Sequence, residues 1–437
     1  MFVTPPSLNI EYGSWTSMEA IRDDLIRRHV AYAAERSPFY RRLFAEHGIA
    51  PRDVRTAADL AMLPFTRKED LAAHGPEFLC VERSKVVDLC LTSGTTSKPV
   101  VLMQTAADLD RLGYNEEISF RATGLTESDT VLNAAAMDRC FMAGLAYFLG
   151  LVRLGATVIR AGSSSVPVVA ELVRNYAPTA IVGVPTLLLA IAERLRQDGF
   201  DPARSGVKRL VCIGEPLRLS DFTIAPLGKR LQDIWQARLY STYASTELAT
   251  AFCDCDSGQG GHAHPDLVHV EILDEEGKPV PPGQPGEVVV TPLQVEGMPL
   301  VRYRTGDIAA LHDDPCPCGR NSPRLGPILG RKSQVLKYKG TTVYPPAIFS
   351  VLQEMRGVRG YYIEVTDRFQ LSDNIKVVVG VEGDELTPRM VAEKIASSVR
   401  VKPEVVFDTP DNVANKVAQP GKRKPVTFFD LREGSSD

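Results

Sequence analysis

The sequence predicts an α/β protein with a large N-terminal domain of mostly parallel sheets, a β-rich subdomain and a small α+β C-terminal domain. Three observations predict it. From about residue 85, short apolar strands alternate with helical segments, the pattern of a parallel sheet covered by helices. After residue 265 the helices stop and strands follow one another across Gly/Pro turns, as in VHVEILDEEGKPVPPGQPGEVVVTPL. Residues 343–437 carry a third pattern, in which short helices and strands alternate within a unit small enough to be separate.

Taken in order, residues 16–50 read as helical, with Thr16 and Glu19 as a capping-box pattern ahead of Met18, Ile21 and Leu25. PFTRKEDL (64–71) reads as a turn into a short helix. VVDLCL (86–91) and VVLM (100–103) are strand-like and flank a Ser/Thr/Gly loop. Buried strands are expected at 130–136, 156–161, 179–184 and 208–214, with helices at 168–176 and 186–198 between them. Near the end, Pro345 and Pro346 open a helix bearing Ile348, Val351, Leu352 and Met355. Strands follow at 361–366, 375–381 and 404–408, and Thr387 caps a helix over 388–399.

Composition bounds the function. With 437 residues, 44% hydrophobic and 24% charged, the chain has core enough for two or three domains without a covalent staple. A net charge of −4 argues against nucleic acid as a partner, which needs a basic field. The longest apolar run, Cys140 to Val152, falls short of the roughly 20 residues that span a bilayer, so no membrane partner is expected. The opening MFVTPPSLNIEYG lacks the basic and apolar regions of a secretory signal. A cytoplasmic protein is therefore expected, and disulfides are not. Of the eight cysteines, 80, 90, 140 and 212 sit singly in apolar stretches, whereas 253, 255, 316 and 318 form two Cys-x-Cys pairs.

LTSGTTSKPVVL (91–102) is the most informative local stretch. Thr92, Ser93, Gly94, Thr95, Thr96 and Lys98 place hydroxyls, a glycine and a cation between two strands. Small residues let backbone N–H groups approach a polyphosphate, and Lys98 offsets its charge. An ordinary polar hairpin turn has the same look, and the stretch taken alone leaves both readings open.

This loop resembles the signature loop of the adenylate-forming superfamily, which comprises acyl-CoA synthetases, peptide-synthetase adenylation domains and luciferases; Ser97 stands where that family has glycine. Further motifs come in the family's order. CIGEP (212–216) resembles its adenine-side turn, YASTE (243–247) its YGSTE motif with Ala244 for glycine, RYRTGD (302–307) its ribose motif, and GRKSQVLKYKG (330–340) its hinge. PGKRKPVTFFDLRE (420–433) resembles its segment with the catalytic lysine. Within the superfamily the chain is most similar to the phenylacetate–CoA ligase group, through PFTRKEDL and through PLVRYRTGDIAAL followed by CPCGR. The resemblance implies an N-terminal adenylate-forming domain over 1–331 and a mobile C-terminal lid over 332–437. It also implies an aryl-acid:CoA ligase using ATP, Mg²⁺ and CoA.

The resemblance also assigns roles. Gly214, Glu215 and Pro216 lie beside adenine, Tyr243 stacks on it, and Ala244 and Ser245 complete that wall. Thr246 donates to the α-phosphate and Glu247 holds magnesium, for which a hard carboxylate oxygen is suited. Asp307 accepts the ribose hydroxyls and Arg331 is a second ribose or phosphate contact. Lys422 neutralises charge in the adenylation transition state, with Lys424 as substitute. Phe141, Ala143, Gly144, Tyr147, Ile213, Tyr240 and Ala244 are placed around the acid, an apolar lining with small gaps that suits a flat aromatic carboxylate. The same residues also suit plain core packing. Ser333 replaces the family's hinge aspartate, and Phe349 replaces a helix-start glutamate.

Cys255, His262, Cys316 and Cys318 suit a closed tetrahedral zinc site, structural because no position is left open. Cys253 and His264 compete as ligands. Three functions stay open: a CoA ligase, an adenylating enzyme whose acceptor is a carrier-protein thiol or an amine, and a noncatalytic ATP- and zinc-binding relative. A homodimer is a further expected partner arrangement.

Overall fold

The computed structural model describes residues 8–92, 100–338, 341–366, 373–419 and 425–432. Ser93, Gly94, Thr95, Thr96 and Lys98, and also Lys422 and Lys424, lie outside the described residues.

The chain opens with α1 (Trp15–Arg36) and α2 (Pro38–Glu46). The cap of α1 corrects the expectation for Thr16: Ser14 is the N-cap, its Oγ accepting from Ser17 N at 3.2 Å, and Thr16 sits inside the first turn. Pro38 separates the two helices because it removes a donor and forces Ser37 into extended backbone. After α3 (Lys68–His74), β1 (Val86–Leu91) and β2 (Val101–Thr105) pair antiparallel. Thr92 and Val100 close the base of this hairpin, with Thr92 N donating to Val100 O at 3.0 Å. Helix α4 (Ala106–Ala122) follows directly, capped by Thr105 and Asp108.

The main sheet is built from β3 (Thr130–Asn133), then α5 (Met142–Leu154), β4 (Thr157–Arg160), α6 (Val166–Tyr176), β5 (Ala180–Gly183), α7 (Pro185–Gln197), β6 (Arg209–Ile213), α8 (Pro226–Trp235), β7 (Arg238–Ser245) and β8 (Thr250–Cys253). Its strand order is β4-β3-β5-β6-β7-β8. All neighbours run parallel except β7 with β8. Helices cover both faces, so central strands such as AIVG bury every residue and read as continuous apolar runs.

A second, antiparallel sheet comprises β9 (Gly261–His262), β10 (Val268–Leu273), β11 (Pro285–Pro292), β12 (Tyr303–His312), β13 (Arg324–Leu325) and β14 (Gly330–Arg331). Its inner face shares a core with the N-terminal helices, including Leu25, Tyr40, Phe78, Val290 and Leu300. The C-terminal unit holds β15 (Leu336–Tyr338), β16 (Thr341–Val343), α9 (Pro345–Glu354), β17 (Val358–Thr366), β18 (Asn374–Val381), α10 (Pro388–Val399), β19 (Glu404–Asp408), α11 (Pro410–Val417) and β20 (Phe428–Asp430). Its sheet order is β19-β18-β17-β20, and it has its own apolar cluster around Ile348, Leu352, Ile363, Val377 and Ile395. Phe349 stacks on Tyr361 with ring centroids 4.9 Å apart, so an apolar ring stands where the family pattern has a glutamate. Among the described residues, no helix is long and apolar enough to cross a membrane.

Arg302 locks the N-terminal segment to the second sheet. Its guanidinium meets Glu271 at 2.8 and 3.1 Å, donates to Leu63 O at 2.7 Å and lies 4.3 Å from the Phe65 ring centroid. Arg302→Met would leave Glu271 as a partly buried, unpaired carboxylate. The expected loss is about 3 kcal/mol of unfolding free energy, measured by urea denaturation.

Candidate functional site

Strand β7 ends where the parallel sheet gives way to an antiparallel edge, and the reversal places residues 246–249 in one turn. Ala249 adopts φ +47, which reverses the chain between Glu247 and β8. Thr246 is buried and Glu247 half-buried in this turn, and Ser245 Oγ accepts from Leu248 N at 3.3 Å.

Tyr243 carries the site to the second sheet. Its hydroxyl donates to Asp307 Oδ2 at 2.7 Å, while Arg331 Nε lies 3.1 Å from Asp307 Oδ1. The second pair follows from strand register, because Asp307 on β12 faces Arg331 on β14. Burial, followed by the Asp307 charge, holds the Tyr243 hydroxyl well above the usual phenol range, so it remains a donor. Asp307 is itself buried, and its two oxygens are oriented by Tyr243 and Arg331. Thus Tyr243, Asp307 and Arg331, far apart in the chain, form one wall beside Thr246 and Glu247.

Gly214 ends β6 with φ +76, a conformation glycine adopts without penalty. The following Glu215 accepts from the Thr186 N–H at 3.1 Å and hydroxyl at 2.7 Å, so it anchors this loop to the start of α7. Gly214 and Pro216 are exposed at the C-terminal end of the strands. Ala244 is exposed beside Tyr243. Open α/β sheets bind ligands at this end of their strands.

Tyr147, Ile213 and Tyr240 are buried in one apolar cluster, with Ala143 packed against it. Phe141 caps the start of α5 and is partly buried, and Gly144 lies so close to Ala136 O that a Cβ would come within 2.3 Å of it. Tyr240 turns its hydroxyl to Asp256 at 2.6 Å. These residues therefore surround α5 and the ends of β6 and β7.

The four predicted metal ligands also converge. The candidate ligand atoms of Cys255, His262, Cys316 and Cys318 lie within 4.8 Å of one another. Cys255 and Cys316 sulfurs are 3.6 Å apart, and Cys318 Sγ is 3.3 Å from His262 Nε2. A tetrahedral zinc with Zn–S near 2.3 Å requires edges of about 3.7 Å, so the set fits. Cys253 and His264 have other partners: Cys253 receives the Thr242 hydroxyl at 3.2 Å, and His264 Nδ1 pairs with Asp266. The free Nδ1 of His262 meets Ser322 Oγ at 3.0 Å, and Ser322 in turn donates to Glu11 at 3.0 Å. Such outer partners orient a ligating imidazole.

The chain matches the AMP-binding enzyme family over residues 37–296. It belongs to that family. The phenylacetate–coenzyme A ligase of Thermus thermophilus is 33% identical over 369 residues, covering 83% of this chain and 81% of the relative. The phenylacetate–coenzyme A ligase of Escherichia coli K12 is 30% identical over 389 residues, covering 86% of each. Among solved structures, a 2-hydroxyisobutyryl-CoA ligase in its postadenylation state with an acyl-AMP matches with TM-score 0.85 at 24% identity, covering 98% of this chain and 94% of that one. The same ligase with 2-HIB-AMP and CoA in the thioesterification state matches with TM-score 0.71 at 25% identity, covering 99% and 94%.

For this family member, sequence reasoning missed the groups that hold the 246–249 turn in place. Arg111 on α4 is buried. It donates to Leu293 O and Leu267 O, both at 2.6 Å, to Thr250 Oγ1 at 3.1 Å, and to Ala249 O. Burial lowers its pKa to about 10, with Asp108 and Asp266 opposing, so it remains a cation at neutral pH. Asp108 receives the N–H groups of Glu296 at 2.7 Å and Gly297 at 2.9 Å. Glu11 was missed as well. Nothing local marks any of them: charges on a helix usually face solvent. Arg111→Met removes a donor from three backbone carbonyls, of which Leu267 O keeps the Leu293 N–H. It is expected to cost about 3 kcal/mol of stability and to lower turnover at permissive temperature, checked by denaturation and by kinetics on the folded fraction.

Proposed function

We propose that this protein is an AMP-forming acid–thiol ligase that activates a small aromatic carboxylic acid with ATP and passes the acyl group to CoA. The Tyr243–Asp307–Arg331 wall beside Thr246 and Glu247 carries this reading. It unites, in one place, groups suited to a base, a ribose, a phosphate and a hard cation. The chain's similarity to phenylacetate–CoA ligases over most of its length supports the substrate class.

In the first half-reaction a carboxylate oxygen attacks the α-phosphorus, and the bond to pyrophosphate breaks. Tyr243 packs against adenine, and Gly214–Pro216 borders it. Asp307 accepts the ribose hydroxyls with oxygens already aimed by Tyr243 and Arg331, so little ordering remains when the nucleotide arrives. Thr246 donates to the α-phosphate, where negative charge spreads. Glu247 is the carboxylate that would hold Mg²⁺, which supplies charge neutralisation on the phosphates. Lys422, Lys98 and the hydroxyls of residues 93–96 are assigned to the same charge on sequence grounds. In the second half-reaction the CoA thiolate attacks the acyl carbon, the mixed anhydride breaks and AMP leaves.

The domain division at 331/332 and the lid role of the C-terminal unit belong to this reading. They are supported by that unit's separate core and by the two matches to one ligase in different states. Zinc on Cys255, His262, Cys316 and Cys318 is proposed as structural, since four protein ligands leave no open position. All eight cysteines are unpaired, which supports a reducing, cytoplasmic setting.

Pyrophosphate release should depend on an aryl acid with ATP and Mg²⁺, and a CoA thioester should accumulate when CoA is present. Asp307→Ala should raise the KM for ATP on the order of 100-fold, as two hydroxyl partners are lost. Release without a thioester would move the acceptor to a carrier-protein thiol or an amine. No release with any acid would overturn the ligase. Elemental analysis should find roughly one zinc per chain, and Cys316→Ser should lose it; a metal-free, equally stable wild type would sink the zinc site.

A further inference from the structure

Helix α4 packs against both α5 and β8. At that junction the helices meet through glycine: a Cβ on Gly150 would lie 2.2 Å from Glu116 Cβ. Towards its N-terminus, the same face of α5 continues with Ala146 and Ala143, small residues leading from Glu116 to the start of the helix. Small residues alone make no site. Glu116 supplies the second observation. It is 4% exposed, its Oε1 accepts from Asn115 Nδ2 at 3.1 Å, and its Oε2 is buried with no hydrogen-bond partner among the described residues.

A buried carboxyl oxygen with no partner is costly and calls for an explanation. Leucine has a similar volume and would serve packing better. The surroundings suggest what the carboxyl is for. Tyr147 and Cys253 lie in one apolar cluster with Ile213 and Tyr240, which border the acid in the reading above. Tyr147 makes no side-chain hydrogen bond among the described residues, although its ring is buried. Burial first, and the Glu116 carboxylate when it is ionised, raise the Tyr147 hydroxyl and the Cys253 thiol above their usual ranges.

We infer that Glu116, with Tyr147 beside it, is the polar floor of the acyl pocket and selects an acid carrying an uncharged hydroxyl at the end remote from its carboxylate. The inference rests on the proposed ligase activity and names its substrate class more closely. Burial raises the Glu116 pKa to about 8, so the group is mainly neutral at pH 7. A neutral carboxyl offers one O–H donor and a carbonyl acceptor, which a phenolic hydroxyl satisfies in both directions. An unsubstituted ring would leave Oε2 unpaired.

The test is acid-dependent ATP–pyrophosphate exchange with phenylacetate and benzoate against their 3- and 4-hydroxy derivatives. The wild type should favour one hydroxylated acid over its parent by about 10- to 100-fold in kcat/KM, the effect of one unpaired buried group. Glu116→Leu should erase that ratio while exchange with the parent acid persists, and Glu116→Gln, which still hydrogen-bonds, should largely keep it. A structural role would lower exchange with every acid alike and leave the ratio unchanged. Wild-type exchange without hydroxyl preference, or an unchanged ratio in Glu116→Leu, overturns the inference and leaves the ligase reading intact. No exchange with any acid overturns both.

Discussion

The Arg111 guanidinium is the point on which the rest of the site depends. One buried cation takes up carbonyls from Ala249, Leu267 and Leu293, three segments that no strand pairing joins to α4. Its desolvation is offset by the carbonyls it satisfies and by Asp108 and Asp266, which lie near it. Asp108 does the mirror task one turn earlier, collecting N–H groups from residues 296 and 297. Helix α4 therefore acts as a double-sided clamp. It grips the turn that carries Thr246 and Glu247 with one charge and the second sheet with the other.

Two more ionic nodes extend this frame. Glu287 on β11 is buried and meets Arg304 at 3.0 Å and Lys332 at 2.9 Å, so the boundary with the C-terminal unit is tied to the sheet bearing Asp307. Within the C-terminal unit, Arg432 donates to Val335 O at 3.1 Å and meets Asp373 at 3.3 Å, which ties the approach to its first strand to its last segment. The short stretch between these nodes contains Ser333. Rigid attachment on both sides concentrates any relative motion there. Glu11 supplies the third node: through Arg320 and Ser322 it draws the N-terminal turn onto the cysteine-bearing loop.

Much of this was legible in the chain, for local reasons. Strands of the main sheet are buried on both faces and declare themselves as unbroken apolar runs. Thr387 and Pro388 mark the start of α10, since a cap and a preset φ are properties of single residues. The four candidate metal ligands were named from Cys255, His262 and the Cys316/Cys318 pair, and the fold brings them together while giving the competing Cys253 and His264 other partners. The start of α1 was misjudged by two residues because Ser14 and Thr16 both suit a cap, and only the entry direction of the chain favours Ser14.

What the sequence determined by itself is the order of the elements and the chemical kinds of group available, because periodicity, caps and turns act over a few residues. Tertiary structure alone decided which charged residues leave solvent. Arg111, Glu287 and Arg302 read as ordinary polar positions, and only the packing of distant segments supplies the partners that make their burial tolerable. It also decided that Tyr243, Asp307 and Arg331 touch, since strand pairing across sequence separations of this size is set by the sheets as wholes and has no local signature.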